Sequence, residues 1–206
     1  MESYQGGHPL QPSGKRCRTL TEGSGGSADY SANETLGRAA LAYAGQGIPV
    51  FPLKPGGKEP LTRHGFKDAT TDHAKITAWW NANPRANIGI PTGEPSDIIS
   101  LDLDVYKAGA MTLEEVEAEV GPLPEKTARL RTGRGGLQLY FRYPEGEQQL
   151  KGIPEDRLGK GVCVKASGGY VVAPPSRTEG RYEWLERAPI AAPPERLLEA
   201  LREQSG

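Results

Sequence analysis

The sequence predicts an α+β domain built on a mostly antiparallel sheet, and three features of the chain carry that expectation. Glycines and prolines fall in pairs (Gly56-Gly57, Gly135-Gly136, Gly168-Gly169, Pro174-Pro175, Pro193-Pro194), a pattern of short strands joined by tight turns. Apolar residues recur at helical spacing in parts of the first half, whereas the second half reads mainly as strands. The order is helix, strand, helix, strand, strand, helix and then a run of strands, which is not the strict alternation of a doubly wound parallel sheet.

Composition sets outer bounds. A chain of 206 residues with ordinary apolar and charged fractions is long enough to bury a core. No apolar run approaches the length that spans a bilayer, and no basic-then-apolar leader opens the chain, so no membrane partner is expected. The net charge of −1 gives no global signature of nucleic-acid binding, which would have to rest on local patches. Cys17 and Cys163 stand far apart without metal-binding spacing, and the expected setting is reducing and cytoplasmic.

Taken in order, residues 1–30 are polar and rich in Gly, Ser and Gln, with a basic cluster at Lys15-Arg16-Arg18, and read as a disordered tail ahead of one domain over 31–206. Ser31-Ala32-Asn33-Glu34 fits a capping box, followed by Leu36, Ala39, Ala40, Tyr43 and Ala44 on a helix that Gly47 stops. Ile48–Leu53 reads as an edge strand because of its prolines. The loop Lys54-Pro55-Gly56-Gly57-Lys58 is not a Walker loop, since Pro52 replaces the first glycine and Glu59 the Ser or Thr. A helix over about 71–82 should bury Trp79 and Trp80 rather than offer them to bases. Asn87–Ile90 is a short strand, and Pro91-Thr92-Gly93 turns the chain toward Ile98–Asp104. Thr112-Leu113-Glu114-Glu115 caps a helix ending near Gly121. Strands follow over about 127–132, 137–143, 161–165, 169–173 and 181–184, and a helix over about 194–203 begins beside Pro193-Pro194.

The strand Ile98–Asp104 ends in two carboxylates. Strand alternation turns Ile99, Leu101 and Leu103 to one face and Ser100, Asp102 and Asp104 to the other. Two like charges so close need a compensating cation or proton, and D-x-D at a strand end suits a hard divalent ion; a strand running into a solvated acidic loop is the alternative. Three further stretches matter. Thr132–Phe141 is a glycine-rich turn feeding a strand with Gln138, Tyr140 and Arg142 on one face. In Gly161–Lys165, Cys163 and Lys165 face away from the core. In Ser167–Ser176, the glycines Gly168 and Gly169 allow backbone N–H groups to approach an anion.

Together these stretches have a family likeness. From Ala40 to Ser176, about two thirds of the chain, the sequence resembles the primase–polymerase (Prim-Pol) domain of the archaeo-eukaryotic primase superfamily, found in replication proteins of plasmids, phages and other mobile elements. The likeness rests on Gly47–Leu53, Gly57–Leu61, Asp68–Asp72, Trp79-Trp80, Asn87–Ile90, Leu101–Asp104, Gly135-Gly136 before Leu139-Tyr140-Phe141, and Gly168–Ser176, the last being the most specific. It implies an RRM-like sheet flanked by helices with the active site on the sheet face. It also implies template-directed nucleotidyl transfer with Mg²⁺ or Mn²⁺, two ions about 3.5–4 Å apart clamping the attacking and leaving oxygens. Asp102 and Asp104 match the metal-binding, catalytic D-x-D. Gln138 stands where the family carries a histidine that contacts nucleotide phosphates, and Cys163 where it carries a third acid, while Lys165 keeps the basic position two residues on.

Gln138 can donate to a phosphate but brings no charge and shuttles no proton. A neutral thiol at Cys163 is a poor ligand for Mg²⁺ or Mn²⁺, so the second ion would lose an anionic ligand; an inert, partly buried cysteine is the plainer reading. Lys165 with Gly168 and Gly169 suits a triphosphate. Lys54, Lys58 and Arg134 would add a cationic rim for template or phosphate, or are merely solvated. Two functions remain open: a DNA primase/polymerase acting on nucleoside triphosphates and a single-stranded DNA template, and a degenerate module that binds nucleotide or single-stranded nucleic acid without turnover. With no Walker loop, unwinding would fall to a separate replicative helicase.

Overall fold

A computed structural model describes residues 35–146 and 149–206. The polar tail over 1–30 and the helix start expected at Ser31 lie outside them. Helix α1 (Leu36–Gly45) is capped by Thr35, whose hydroxyl accepts from the Arg38 N–H at 3.3 Å, and it buries Ala39, Ala40, Tyr43 and Ala44. Strand β1 (Phe51–Leu53) is buried throughout. Helix α2 (His73–Ala82) starts at Asp72, whose carboxylate accepts from the Ala74 and Lys75 N–H groups. Its Trp80 is buried and donates its indole N–H to the Ala86 carbonyl at 3.0 Å, so it serves the core as expected. Trp79 packs against the same core and carries the Lys75 ammonium 4.8 Å from its ring centre.

Strands β2 (Asn87–Pro91) and β3 (Ile98–Leu103) follow. Helix α3 (Leu113–Val120) has the expected capping box, Thr112 and Glu115 each satisfying the other's backbone N–H. Then come β4 (Arg129–Arg131), β5 (Leu137–Arg142), β6 (Val162–Lys165), β7 (Tyr170–Ala173), β8 (Glu183–Glu186) and α4 (Glu195–Ser205).

The fold is α+β, and every pairing between these strands is antiparallel. The strands divide into two sheets, ordered β1-β2-β7 and β6-β3-β5-β4-β8. Two cores result. One face of the five-stranded sheet (Ile99, Leu101, Leu103, Leu139, Phe141, Val162, Val164) packs on Val116, Val120, Leu197, Leu198 and Leu201 of α3 and α4. On its other face Ile98, Leu130 and Tyr140 join a core shared with α1, α2 and the three-stranded sheet.

The chain passes between the sheets three times, after β2, after β6 and after β7, and the first two corners hold each other. Thr92 donates its N–H to the Gly169 carbonyl at 2.9 Å and its hydroxyl to the Ala166 carbonyl at 2.5 Å. Gly93 sits at φ +92°, and a Cβ there would meet Ser167 Cα at 2.9 Å, so only glycine fits. Buried Asn87 adds a third tie: its amide donates to the carbonyls of Gly57 at 2.9 Å and Arg177 at 2.8 Å, and its carbonyl accepts the Arg177 N–H at 2.9 Å. Buried Ser176 accepts the Ile88 N–H at 2.8 Å.

Replacing Asn87 by Ala removes one side chain and strands three backbone groups, two of them on Arg177. Urea denaturation of Asn87→Ala is expected to show a loss of about 2–4 kcal/mol, from roughly 1 kcal/mol per lost bond plus the cost of unpaired buried groups.

Candidate active site

The face of β3 turned away from α3 and α4 opens along its length. Ile98 and Ser100 are fully buried, the Asp102 side chain is 15% exposed, and Asp104, one residue past the strand, is 29% exposed. Antiparallel register places Asp102 opposite Gln138 on β5 and Cys163 on β6, and Ser100 opposite Tyr140 and Lys165.

Asp102 is compensated on every side. Lys165 forms an ion pair with its Oδ2, while Gln138 Nε2 donates to Oδ1 at 2.7 Å and the Ser100 hydroxyl donates to the same oxygen. The buried Tyr140 hydroxyl donates to Gln138 Oε1 at 3.1 Å, which turns the amide nitrogen toward Asp102. Burial, reinforced by Tyr43 and Asp102, holds the Tyr140 phenol well above its ordinary value, so it stays a neutral donor. For Lys165, burial pulls the ammonium down and the Asp102 carboxylate pulls it up; the carboxylate wins, and the group stays charged. Asp104 accepts from Lys107 Nζ at 2.8 Å, and its backbone N–H donates to the Gly161 carbonyl at 2.8 Å. Lys107 also pairs with Glu155.

Asp102, Asp104, Gln138, Lys165, Gly168 and Gly169 line one cavity of about 410 Å³, with Lys58 and Arg134 on its wall. Lys54 and Cys163 are not among its lining residues. Arg134 is held by Glu179, Nε to Oε2 at 2.6 Å. The two glycines differ from simple anion donors, because the Gly169 N–H already points to the Ala166 carbonyl at 3.4 Å, whereas Gly168 at φ +82° borders open space. Gly136 serves close approach: a Cβ there would meet the Leu103 carbonyl oxygen at 2.8 Å, beside Asp104 Oδ1.

Sequence reasoning missed Tyr106, Thr132, Tyr170 and Tyr182 on the lining. Tyr106 stands two residues past Asp104 and Tyr170 directly follows Gly168-Gly169, so proximity to the motifs was a usable signal for both; Tyr182 carried none.

Among the described residues, no three His, Cys, Asp or Glu side chains are grouped to hold a metal. Mg²⁺ typically takes one or two carboxylates and completes its shell with water and substrate phosphates. Asp102 and Asp104 in one cavity fit a single such ion. A two-ion clamp lacks its third carboxylate, since Cys163 is the residue opposite Asp102 on β6.

The cavity thus brings two carboxylates, Asp102 and Asp104, together with three cationic side chains, Lys58, Arg134 and Lys165. Residues 40–196, well over half the chain, match the family described as bifunctional DNA primase/polymerase, N-terminal, and the chain belongs to that family. No curated protein matches the sequence. No helix among the described residues is long and apolar enough to cross a membrane.

Burial pushes the Cys163 thiol above its ordinary value of 9.0; Asp102 and Asp104 add to the shift and Lys165 opposes it. A raised pKa means less thiolate at any pH below it, and the thiolate is the nucleophile. In a Cys17→Ser background, iodoacetamide should alkylate Cys163 several-fold more slowly at pH 8 than after unfolding in urea, with the folded-state rate still climbing past pH 9.0. A folded-state profile that levels off below that pH would contradict the assignment.

Proposed function

We propose that the cavity at the end of β3 binds a nucleoside triphosphate and, on a single-stranded DNA template, transfers its nucleotidyl group to a primer 3′ hydroxyl. The observation that carries this reading is the meeting of Asp102 and Asp104 with Lys58, Arg134 and Lys165 around one cavity, in a chain of the primase/polymerase family. Asp102 and Asp104 are the residues that would hold a divalent ion, Mg²⁺ or Mn²⁺. Bound there, the ion would polarise a phosphoryl oxygen and neutralise developing charge. Lys165 and Lys58 supply point charges for the phosphates. Gln138 orients Asp102 with one amide N–H, and the second donor of the same amide suits a phosphate.

A second reading, a module that binds nucleotide or single-stranded nucleic acid without turnover, is favoured by one observation. The neutral Cys163 thiol faces Asp102 where a third carboxylate would complete a two-ion site.

Primer extension with Mg²⁺ or Mn²⁺ separates the two. Under the first reading the wild-type protein incorporates deoxynucleotides, and Asp102→Ala or Asp104→Ala lowers the rate by roughly 100-fold or more, the scale of several kcal/mol of lost charge stabilisation. Incorporation no higher than in those variants sinks it in favour of the second. Gln138→His combined with Cys163→Asp should raise incorporation; if it does not, those two positions do not account for the weakness.

A further inference from the structure

Three tyrosines stand on the cavity wall, two of them partly or wholly covered by the fold and one exposed. Tyr170 packs edge-on against Phe51, ring centres 5.4 Å apart, and donates its hydroxyl to the Lys58 carbonyl at 3.1 Å. Tyr182 is buried within the core shared with α1 and the three-stranded sheet. Tyr106 lines the same cavity yet remains 42% exposed, beside Val105 at 50%. A ring left this open on a cavity wall keeps a π face that a ligand can reach.

The ring is nevertheless held in place. The turn that carries it closes with the Lys107 N–H donating to the Asp104 carbonyl at 2.9 Å, and Lys107 Nζ reaches back to the Asp104 carboxylate. The Arg134 guanidinium lies 5.8 Å from the ring centre, and Glu179 fixes that guanidinium. A ring positioned by a turn and a pinned cation is preorganised, so a flat partner landing on it loses little to ordering. Its distance in sequence from Asp104 is two residues, so whatever stacks there presents its attached phosphates to the charged part of the cavity. Nucleobases stack on such rings irrespective of sequence, because every base has a π face.

We propose that Tyr106, positioned by Arg134, is the stacking platform for a nucleobase at the cavity mouth. The proposal rests on the reading of the cavity as a nucleotide site, but it concerns binding and does not require turnover. The base can belong to an incoming nucleotide or to a single strand, and the two sources are separable.

Isothermal titration of the full chain with dATP, inorganic tripolyphosphate, a single-stranded oligo-dT and an abasic oligonucleotide of equal length tests it. Tyr106→Ala should weaken dATP, oligo-dT or both by about 5- to 150-fold, the range for loss of one base–aromatic stack. Tripolyphosphate and abasic strand should bind as to wild type. Tyr106→Phe should keep base binding, and Tyr106→Leu, apolar but without a π face, should lose it as Ala does. A loss confined to dATP assigns the platform to the incoming nucleotide, and one confined to oligo-dT assigns it to the strand. Since Tyr106 is exposed, all three variants should keep the wild-type melting temperature. The proposal is overturned if base-bearing ligands are unaffected, if base-free ligands weaken equally, or if wild type binds base-bearing ligands no better than base-free ones. Base-dependent binding without any primer extension would defeat the transfer reading and leave Tyr106 as assigned.

Discussion

The compensation of Asp102 is the constraint on which the site and much of the larger sheet depend. A carboxylate on a mostly covered face is costly unless paired and hydrogen-bonded. Here the partners come from three strands: Ser100 from β3 itself, Gln138 from β5 and Lys165 from β6. One carboxylate thereby reads the register of all three. A slip of one residue would turn Lys165 or Gln138 into the core against α3 and α4 and would leave Asp102 unpaired. The apolar alternation along β5 and β6 and the polar network on the opposite face therefore specify the same register twice.

That network also divides labour among the residues. Gln138 is committed between Tyr140 and Asp102 and acts as a positioning residue. Lys165 pairs with Asp102, and that pairing keeps its ammonium charged. Asp104 has a lysine too, Lys107, which it shares with Glu155, so each of the two carboxylates meets a counter-ion within the chain.

Much of this was legible in the sequence because it is local. The capping box at Thr112 and Glu115, the alternation in Ile98–Leu103, the burial of Trp80 and the α+β class follow from spacing and propensity, and all are observed. The division into two sheets was not legible, because it is decided by non-local contacts at the corners, Thr92 with Ala166 and Gly169, and Asn87 with Gly57 and Arg177. The same holds within the site. Strand alternation puts Lys165 and Asp102 on outward faces, but only the pairing of β3 with β6 reveals that they meet. Gly168-Gly169 read as an anion cradle, whereas the Gly169 amide is directed to Ala166 inside the turn, a commitment set by the corner geometry. Tyr106 left no pattern of its own, since an exposed residue in a turn obeys no periodicity.

The stretches that carry the family likeness sort into two physical kinds. Asn87 and Ser176 tie β2 to the chain just after β7 through buried bonds. The departures fall at Gln138 and Cys163, both beside Asp102, and both place a neutral group where the likeness implies an ionisable one. Around a partly buried carboxylate each added charge demands another counter-charge, so neutral neighbours ease folding. At Asp102 that demand is met within the chain, by Lys165 on β6 together with Gln138 and Ser100.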